Sequence, residues 1–132
     1  MEHSFLAQVS EVLKKEGVLF AYLFGSQASG KTGKLSDIDI AVYFKEDLTP
    51  GERFDKKLKI MARLSLLLKR DDIDVVVLND SYLLMEHRII KEGKVIFSVD
   101  EKKRLDYEVR AVMRYLDFKP YLEKHTKEIL YG

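Results

Sequence analysis

The sequence contains no cysteine. Disulfides, thiolate nucleophiles and cysteine-based zinc sites are therefore excluded, and stability must come from a packed core. Proline is scarce, at two residues in 132, and no internal repeat, low-complexity tract or linker divides the chain. Net charge is also small, at +1, so the molecule as a whole has no electrostatic reason to seek a polyanion or a membrane surface. The three histidines, His3, His87 and His125, are scattered and form no HExxH-like pattern. No apolar run approaches the roughly 20 residues that span a bilayer, and the start, Met1-Glu2-His3, lacks the basic-then-apolar layout of a secretory leader. These absences predict a soluble, cytoplasmic single domain over residues 1–132. Its composition, 46% hydrophobic and 34% charged, suffices for one two-layer core.

What is present has a clear order. Phe5, Leu6, Val9, Val12 and Leu13 recur at helical spacing over residues 2–16, and Gly17 is a stop signal. Val18 to Phe24 is a continuous apolar run, as expected of a strand buried on both faces. A loop with Gly25, Gly30 and Gly33 leads into a second strand from about Ser36 to Phe44, and Pro50-Gly51 reads as a turn. Glu52 to Arg70 has a helical apolar face of Phe54, Leu58, Met61, Leu64, Leu67 and Leu68. This segment is strongly basic, with seven Lys or Arg against two acids, which reads first as a solvated face and second as a surface for a polyanion. Ile73 to Leu78 is a β-branched strand, Asn79-Asp80-Ser81 a cap or turn, Tyr82 to Lys91 a short helix ended by Gly93, and Lys94 to Ser98 an edge strand. From about Asp100 the chain is helical, with Leu105, Val109, Val112 and Leu116 as one seam, and Pro120 is expected to break or kink it near Phe118-Lys119. The order α-β-β-α-β-α-β-α predicts an α/β (α+β) fold: a small mixed sheet of about four strands packed with helices, its core over about residues 1–99 and a C-terminal helical segment over about 100–132.

The chemistry lies around the first loop. Asp37 and Asp39 stand two apart where the second strand begins, so on extended backbone their side chains project to the same side. Asp74 is an acid inside the apolar third strand, a costly position for a carboxylate without a charged partner or a metal. If the two strands are neighbours, three carboxylates converge at one sheet end and raise one another's pKa unless a cation joins them. Oxygen ligands favour Mg²⁺ or Mn²⁺, and a pair of such ions can activate an attacking oxygen and stabilise a leaving one in phosphoryl transfer. Gly25 and Ser26 complement them: glycine allows close backbone approach to a phosphate, and turn N–H groups with a hydroxyl suit a triphosphate. Lys31 and Lys34 could add charge. Each feature alone has an ordinary explanation: an acidic pair often caps or is solvated, and acids gather near Asp74 anyway, at Asp71 and Asp72. In combination they are specific.

Gly25-Ser26, ten intervening residues and Asp37-Ile38-Asp39 resemble the GS-x10-DxD signature of the DNA polymerase β-like nucleotidyltransferase superfamily. The whole chain is similar to its smallest members, the minimal nucleotidyltransferase (MNT) proteins, including the C-terminal stretch Tyr115-Leu116-Asp117-Phe118-Lys119-Pro120. The resemblance implies a polymerase β palm-like fold and metal-dependent nucleotidyl transfer. It implies Asp37, Asp39 and Asp74 as catalytic metal ligands for two Mg²⁺ (or Mn²⁺), with Asp74 preferred to Asp72 as the third carboxylate and helping to deprotonate the incoming hydroxyl. Gly25 and Ser26 would hold the triphosphate of ATP.

MNT proteins resemble antitoxins that transfer AMP from ATP to a tyrosine of a HEPN-family ribonuclease toxin. The shortness of the chain beyond its core favours this reading, because a protein partner brings its own acceptor. Two alternatives remain open: transfer to a small-molecule hydroxyl such as an antibiotic's, and inhibition of the partner by binding alone. For the latter, Tyr107, Tyr115, Phe118 and Tyr121 could offer an aromatic surface, although such residues more commonly pack a core. Neither a membrane nor sequence-specific nucleic acid is expected as a partner, since no helix-hairpin-helix-like segment or stacking platform accompanies the basic helix.

Overall fold

The computed structural model describes residues 3–25 and 37–131, with side chains over residues 4–25 and 37–125. Helix α1 (His3–Lys15) precedes β1 (Val18–Phe24) and β2 (Ile38–Phe44). Helix α2 (Pro50–Leu68) leads to β3 (Ile73–Val77) and a 3₁₀ turn (Leu78–Asp80), then α3 (Leu83–Glu92), β4 (Lys94–Ser98) and the long α4 (Glu101–Tyr131). The four strands form one mixed sheet in the order β3-β2-β1-β4. β1 pairs antiparallel with β2 and β4, and β2 pairs parallel with β3.

Side-chain alternation along the central strands builds two cores. Ile38, Ile40, Val42 and Phe44 of β2 face α1 and α2, meeting Val9, Val12, Leu13, Ile60 and Leu64. Ala41 and Tyr43 face the other way, where Phe20 and Tyr22 of β1 meet Ile89 of α3 and Tyr107 of α4. β1 is buried along nearly its whole length, as its unbroken apolar run predicts, and β4 occupies one sheet edge, as expected. Asn79 closes the far end of β2: it accepts from the Phe44 N–H at 3.0 Å and donates to the Phe44 carbonyl at 2.9 Å.

Four expectations need correction. Pro50-Gly51 is the first turn of α2 and no separate turn: Thr49 caps it, accepting from the Glu52 N–H while the Glu52 carboxylate accepts from the Thr49 N–H, and proline is tolerated there because its missing N–H would lack a helical partner anyway. On α2 the buried apolar residues are Ile60 and Leu64, whereas Phe54, Leu58 and Leu67 are exposed. Helix α4 runs through Pro120; the surrounding residues are exposed, so water can satisfy the carbonyl that proline leaves unpaired. The seam Leu105, Val109, Val112 and Leu116 points outward, and Tyr107 and Ala111 face the core instead. Of the four aromatic residues considered as a binding surface, Tyr107 is buried, Tyr115 stacks on His87, and Phe118 and Tyr121 are exposed.

The basic helix α2 is largely committed within the fold. Arg53 is buried and grips Asp80 through Nε at 2.9 Å and a terminal nitrogen at 2.6 Å. Lys56 donates to the Glu16 carbonyl and Arg63 pairs with the Glu16 carboxylate. Arg70, just past the helix, pairs with Asp72.

Candidate active site

Strand register determines which carboxylates meet. In the parallel β2–β3 pair, Asp39 lies directly opposite Asp74, and on its other side Asp39 lies opposite Phe24 of β1. Asp39 and Asp74 alternate with the residues facing α1 and α2, so both occupy the α3/α4 face, at the end of the sheet where β2 and β3 begin and β1 finishes. Asp37 precedes β2 by one residue and is exposed, Asp39 is half-buried, and Asp74 is exposed on the outermost strand. The exposure of Asp74 removes the desolvation problem that its apolar neighbours suggested. Asp72 is the less available acid, because Arg70 holds its carboxyl below the usual carboxylate range through a bidentate ion pair.

The electrostatics at Asp39 show its two acidic neighbours acting on it. Burial pushes its carboxyl up from the ordinary value, and the negative charges of Asp74 and Asp37 push it further. The Arg88 guanidinium, on α3, pulls it back in part. Added positive charge at Asp39 is thus favourable.

Gly25 forms the wall behind Asp39. Its backbone is left-handed, with φ of +75°, and a Cβ placed there would collide with Asp39 Oδ2. Glycine is required twice here, for conformation and for clearance. Ser26, Lys31 and Lys34 lie outside the described residues, as does the whole of 26–36. Among the described residues, no group of three His, Cys, Asp or Glu side chains stands ready as placed to hold a metal ion. The donor chemistry nevertheless suits Mg²⁺, which binds through one or two carboxylates together with waters and substrate phosphates and needs no complete protein cage.

Sequence reasoning missed Arg88. A charged residue on a short helix gives no signal of its own, and only the packing of α3 on the sheet brings it to this end. A cleft of about 830 Å³ lies elsewhere: Tyr43, Arg53, Glu86, Tyr107, Arg110 and Arg114 are among its lining residues, and none of the three aspartates is. Glu86 is buried in its wall, accepting from Tyr107 Oη at 2.7 Å and from Arg114 at 2.9 Å. Nearer the carboxylates, Tyr22 Oη donates to Glu108 at 2.6 Å and ties α4 to β1; burial and that carboxylate raise the phenol's pKa. No helix among the described residues is long and apolar enough to cross a membrane.

Comparison with known proteins places this geometry. The family described as polymerase beta, nucleotidyltransferase, matches residues 7–102. The chain is 28% identical over 94 residues to protein adenylyltransferase MntA of Shewanella oneidensis, a match covering 71% of this chain and 63% of that protein, so it spans less than two thirds of that relative's length. It is 33% identical over 86 residues to a protein of Methanocaldococcus jannaschii that is also named as a protein adenylyltransferase, covering 65% of this chain and 87% of the relative. Among solved structures, a toxin–antitoxin with AMP-PNP superposes with a TM-score of 0.77 at 22% identity, covering 95% of this chain and 98% of the other. A tri-AMPylated Shewanella oneidensis HEPN toxin in complex with an MNT antitoxin gives 0.73 at 20% identity, covering 98% and 99%. At these identities the structural likeness is one of fold.

Proposed function

The chain belongs to the polymerase β nucleotidyltransferase family, and from that premise we propose that it is an antitoxin that transfers AMP from ATP to a tyrosine of a partner HEPN ribonuclease toxin. The observation that carries the reading is the register that sets Asp39 against Asp74, with Gly25 closing on Asp39 from behind. The names of the relatives and the complexes of similar fold support a protein acceptor.

In this reading Asp37, Asp39 and Asp74 would hold Mg²⁺ or Mn²⁺, which when bound supplies charge neutralisation at the phosphates and activation of the attacking oxygen. Asp39, whose carboxyl is raised by burial and by its acidic neighbours, gains from that charge. Asp74 stands exposed on an edge strand, accessible to an acceptor hydroxyl whose proton it can take. Gly25 follows the last residue of β1 and lies against Asp39; with Ser26, the next residue in sequence, it would hold the triphosphate through backbone N–H groups and a hydroxyl.

The test is to incubate the protein with the toxin encoded beside it, ATP and Mg²⁺, and to weigh the toxin. A gain of one or more AMP units is expected; an unmodified toxin under conditions where the pair binds overturns the transfer. A second reading, inhibition by binding alone, is favoured by the exposed apolar residues of α4, including Leu105, Val109, Leu116 and Tyr121. The double variant Asp37→Asn/Asp39→Asn separates the two: an enzyme loses both modification and neutralisation of the toxin, whereas a pure binder still neutralises it.

A further inference from the structure

Two packing offsets along opposite sides of one groove, taken from the regular rise of strand and helix, locate Arg88. Helix α3 starts beyond the C-terminal end of β3 and finishes at Gly93, which lies tight against the Leu23 carbonyl and Tyr22 near the end of β1. It therefore runs toward the carboxylate end of the sheet. Met85 of α3 and Val76 of β3 line the same groove. From Val76, two residues back along the same face of β3 is Asp74, about 6.6 Å closer to the site. From Met85, three residues forward on the same side of α3 is Arg88, about 4.5 Å closer. The two steps point the same way and bring Arg88 alongside Asp74 and its register partner Asp39. The positive field of Arg88 at Asp39 is an independent sign of the same proximity.

Among the described residues, Arg88 has donors to spare: its ion pair there is to Glu92, at 3.3 Å, with both side chains more than half exposed (63% and 60%). Pairs of this kind contribute little, and a guanidinium carries five N–H groups suited to bidentate capture of phosphate.

We propose that Arg88 binds the β- and γ-phosphates of the nucleotide at the carboxylate site and stabilises the pyrophosphate as it leaves. The inference rests on the nucleotidyl-transfer reading. In that reaction the acceptor oxygen bonds to the α-phosphorus and the bond from that phosphorus to the α,β-bridging oxygen breaks. The electron pair departs with pyrophosphate, and the hydroxyl proton passes to Asp74. Negative charge thus builds on the phosphates that Arg88 contacts.

The experiment titrates the protein with N-methylanthraniloyl-ATP and with the corresponding adenosine, using Ca²⁺ in place of Mg²⁺ so that binding is read without turnover. Arg88→Ala should weaken binding of the triphosphate about tenfold or more and leave the nucleoside unaffected, with Arg88→Lys in between. Glu92→Gln, which removes only the ion-pair partner, should bind the triphosphate at least as tightly as wild type. Thermal unfolding of Arg88→Ala should match wild type, since the side chain is mostly solvated. Equal triphosphate affinity in Arg88→Ala and wild type, or a loss in Glu92→Gln as large as that in Arg88→Ala, overturns the assignment while leaving nucleotidyl transfer standing. Absence of triphosphate binding and of AMP transfer in the wild-type protein overturns the reading beneath it instead.

Discussion

Gly25 and Gly17 offer a controlled comparison in which the same backbone strain is imposed with and without damage to the carboxylates. Both are left-handed, at φ of +75° and +77°. Alanine at either position must hold a conformation that L-residues disfavour by roughly 1–2 kcal/mol. At Gly17 the added methyl meets only the end of the Lys56 side chain at 4.0 Å, an ordinary contact. At Gly25 it lands on Asp39 Oδ2. Asp39 is anchored in β2 between β1 and β3, so relief comes only by rotating the carboxylate away or by pushing the end of β1 from β2. Gly17→Ala is therefore expected to lower the unfolding midpoint by about 3–8 °C, the shift that 1–2 kcal/mol produces in a domain of this size, and to keep full AMP transfer. Gly25→Ala is expected to lose stability to at least the same degree and to lose transfer by about 100-fold or more, as misplacement of a reacting group by about an ångström commonly does. Thermal unfolding and a time course of toxin mass, run on both variants, decide the matter. If Gly25→Ala transfers AMP as fast as Gly17→Ala, the close approach of Gly25 to Asp39 is not part of a working site and the reasoning fails.

Further outcomes follow from the packing. Asp80→Asn removes the charge that holds buried Arg53, and a loss of about 2 kcal/mol is expected by urea denaturation at pH 7; the bond holds the Asp80 carboxyl below its usual value, so this contribution is complete at neutral pH and disappears as pH falls below about 4, where wild type and variant should converge. Leu64→Ala should cost about 3 kcal/mol because Leu64 is fully buried between α2 and the sheet, while Leu66→Ala, at 81% exposure two residues away, should be nearly neutral. Leu116→Ser should change stability by about 0.5 kcal/mol or less, since the residue points away from the core; a loss of 2–5 kcal/mol would mean that the outer stripe of α4 is packed.

Legibility in the sequence tracked how local each determinant was. β1 and β4 were readable to the residue, because each is an apolar run bounded by glycine or charge. The start of α2 was also encoded locally, in Thr49-Pro50-Gly51-Glu52, where the capping pair outweighs the turn propensity of Pro-Gly. Helix α4 defeated periodicity for a different reason. It carries two apolar stripes, Leu105/Val109/Val112/Leu116 and Tyr107/Ala111/Tyr115, centred about 130° apart around the helix. A 3.6-residue period reports a stripe without saying what faces it, and the more aliphatic stripe is the one left outside. The winning side is set by long-range partners: Tyr107 reaches Glu86 and the Phe20–Tyr43 stack, and Tyr115 reaches His87.

The carboxylate site shows the same division. The spacing of Asp37 and Asp39 is local, and their common side follows from strand geometry alone. The choice between Asp72 and Asp74 depends on which residue of β3 stands opposite Asp39, a register that hydrophobic alternation leaves open, because both acids share one face. Two separate interactions distinguish the two acids. Pairing sets Asp74 against Asp39, and Arg70 captures Asp72. Arg88 is further still from local determination, because its position needs the sheet order, the direction of α3 and the seat of Gly93 on β1 together. A basic residue in that place opposes the mutual repulsion of the three acids, which burial alone would worsen at Asp39. The same charge is what a departing pyrophosphate requires, so one side chain can serve the site both before the nucleotide arrives and as it is cleaved.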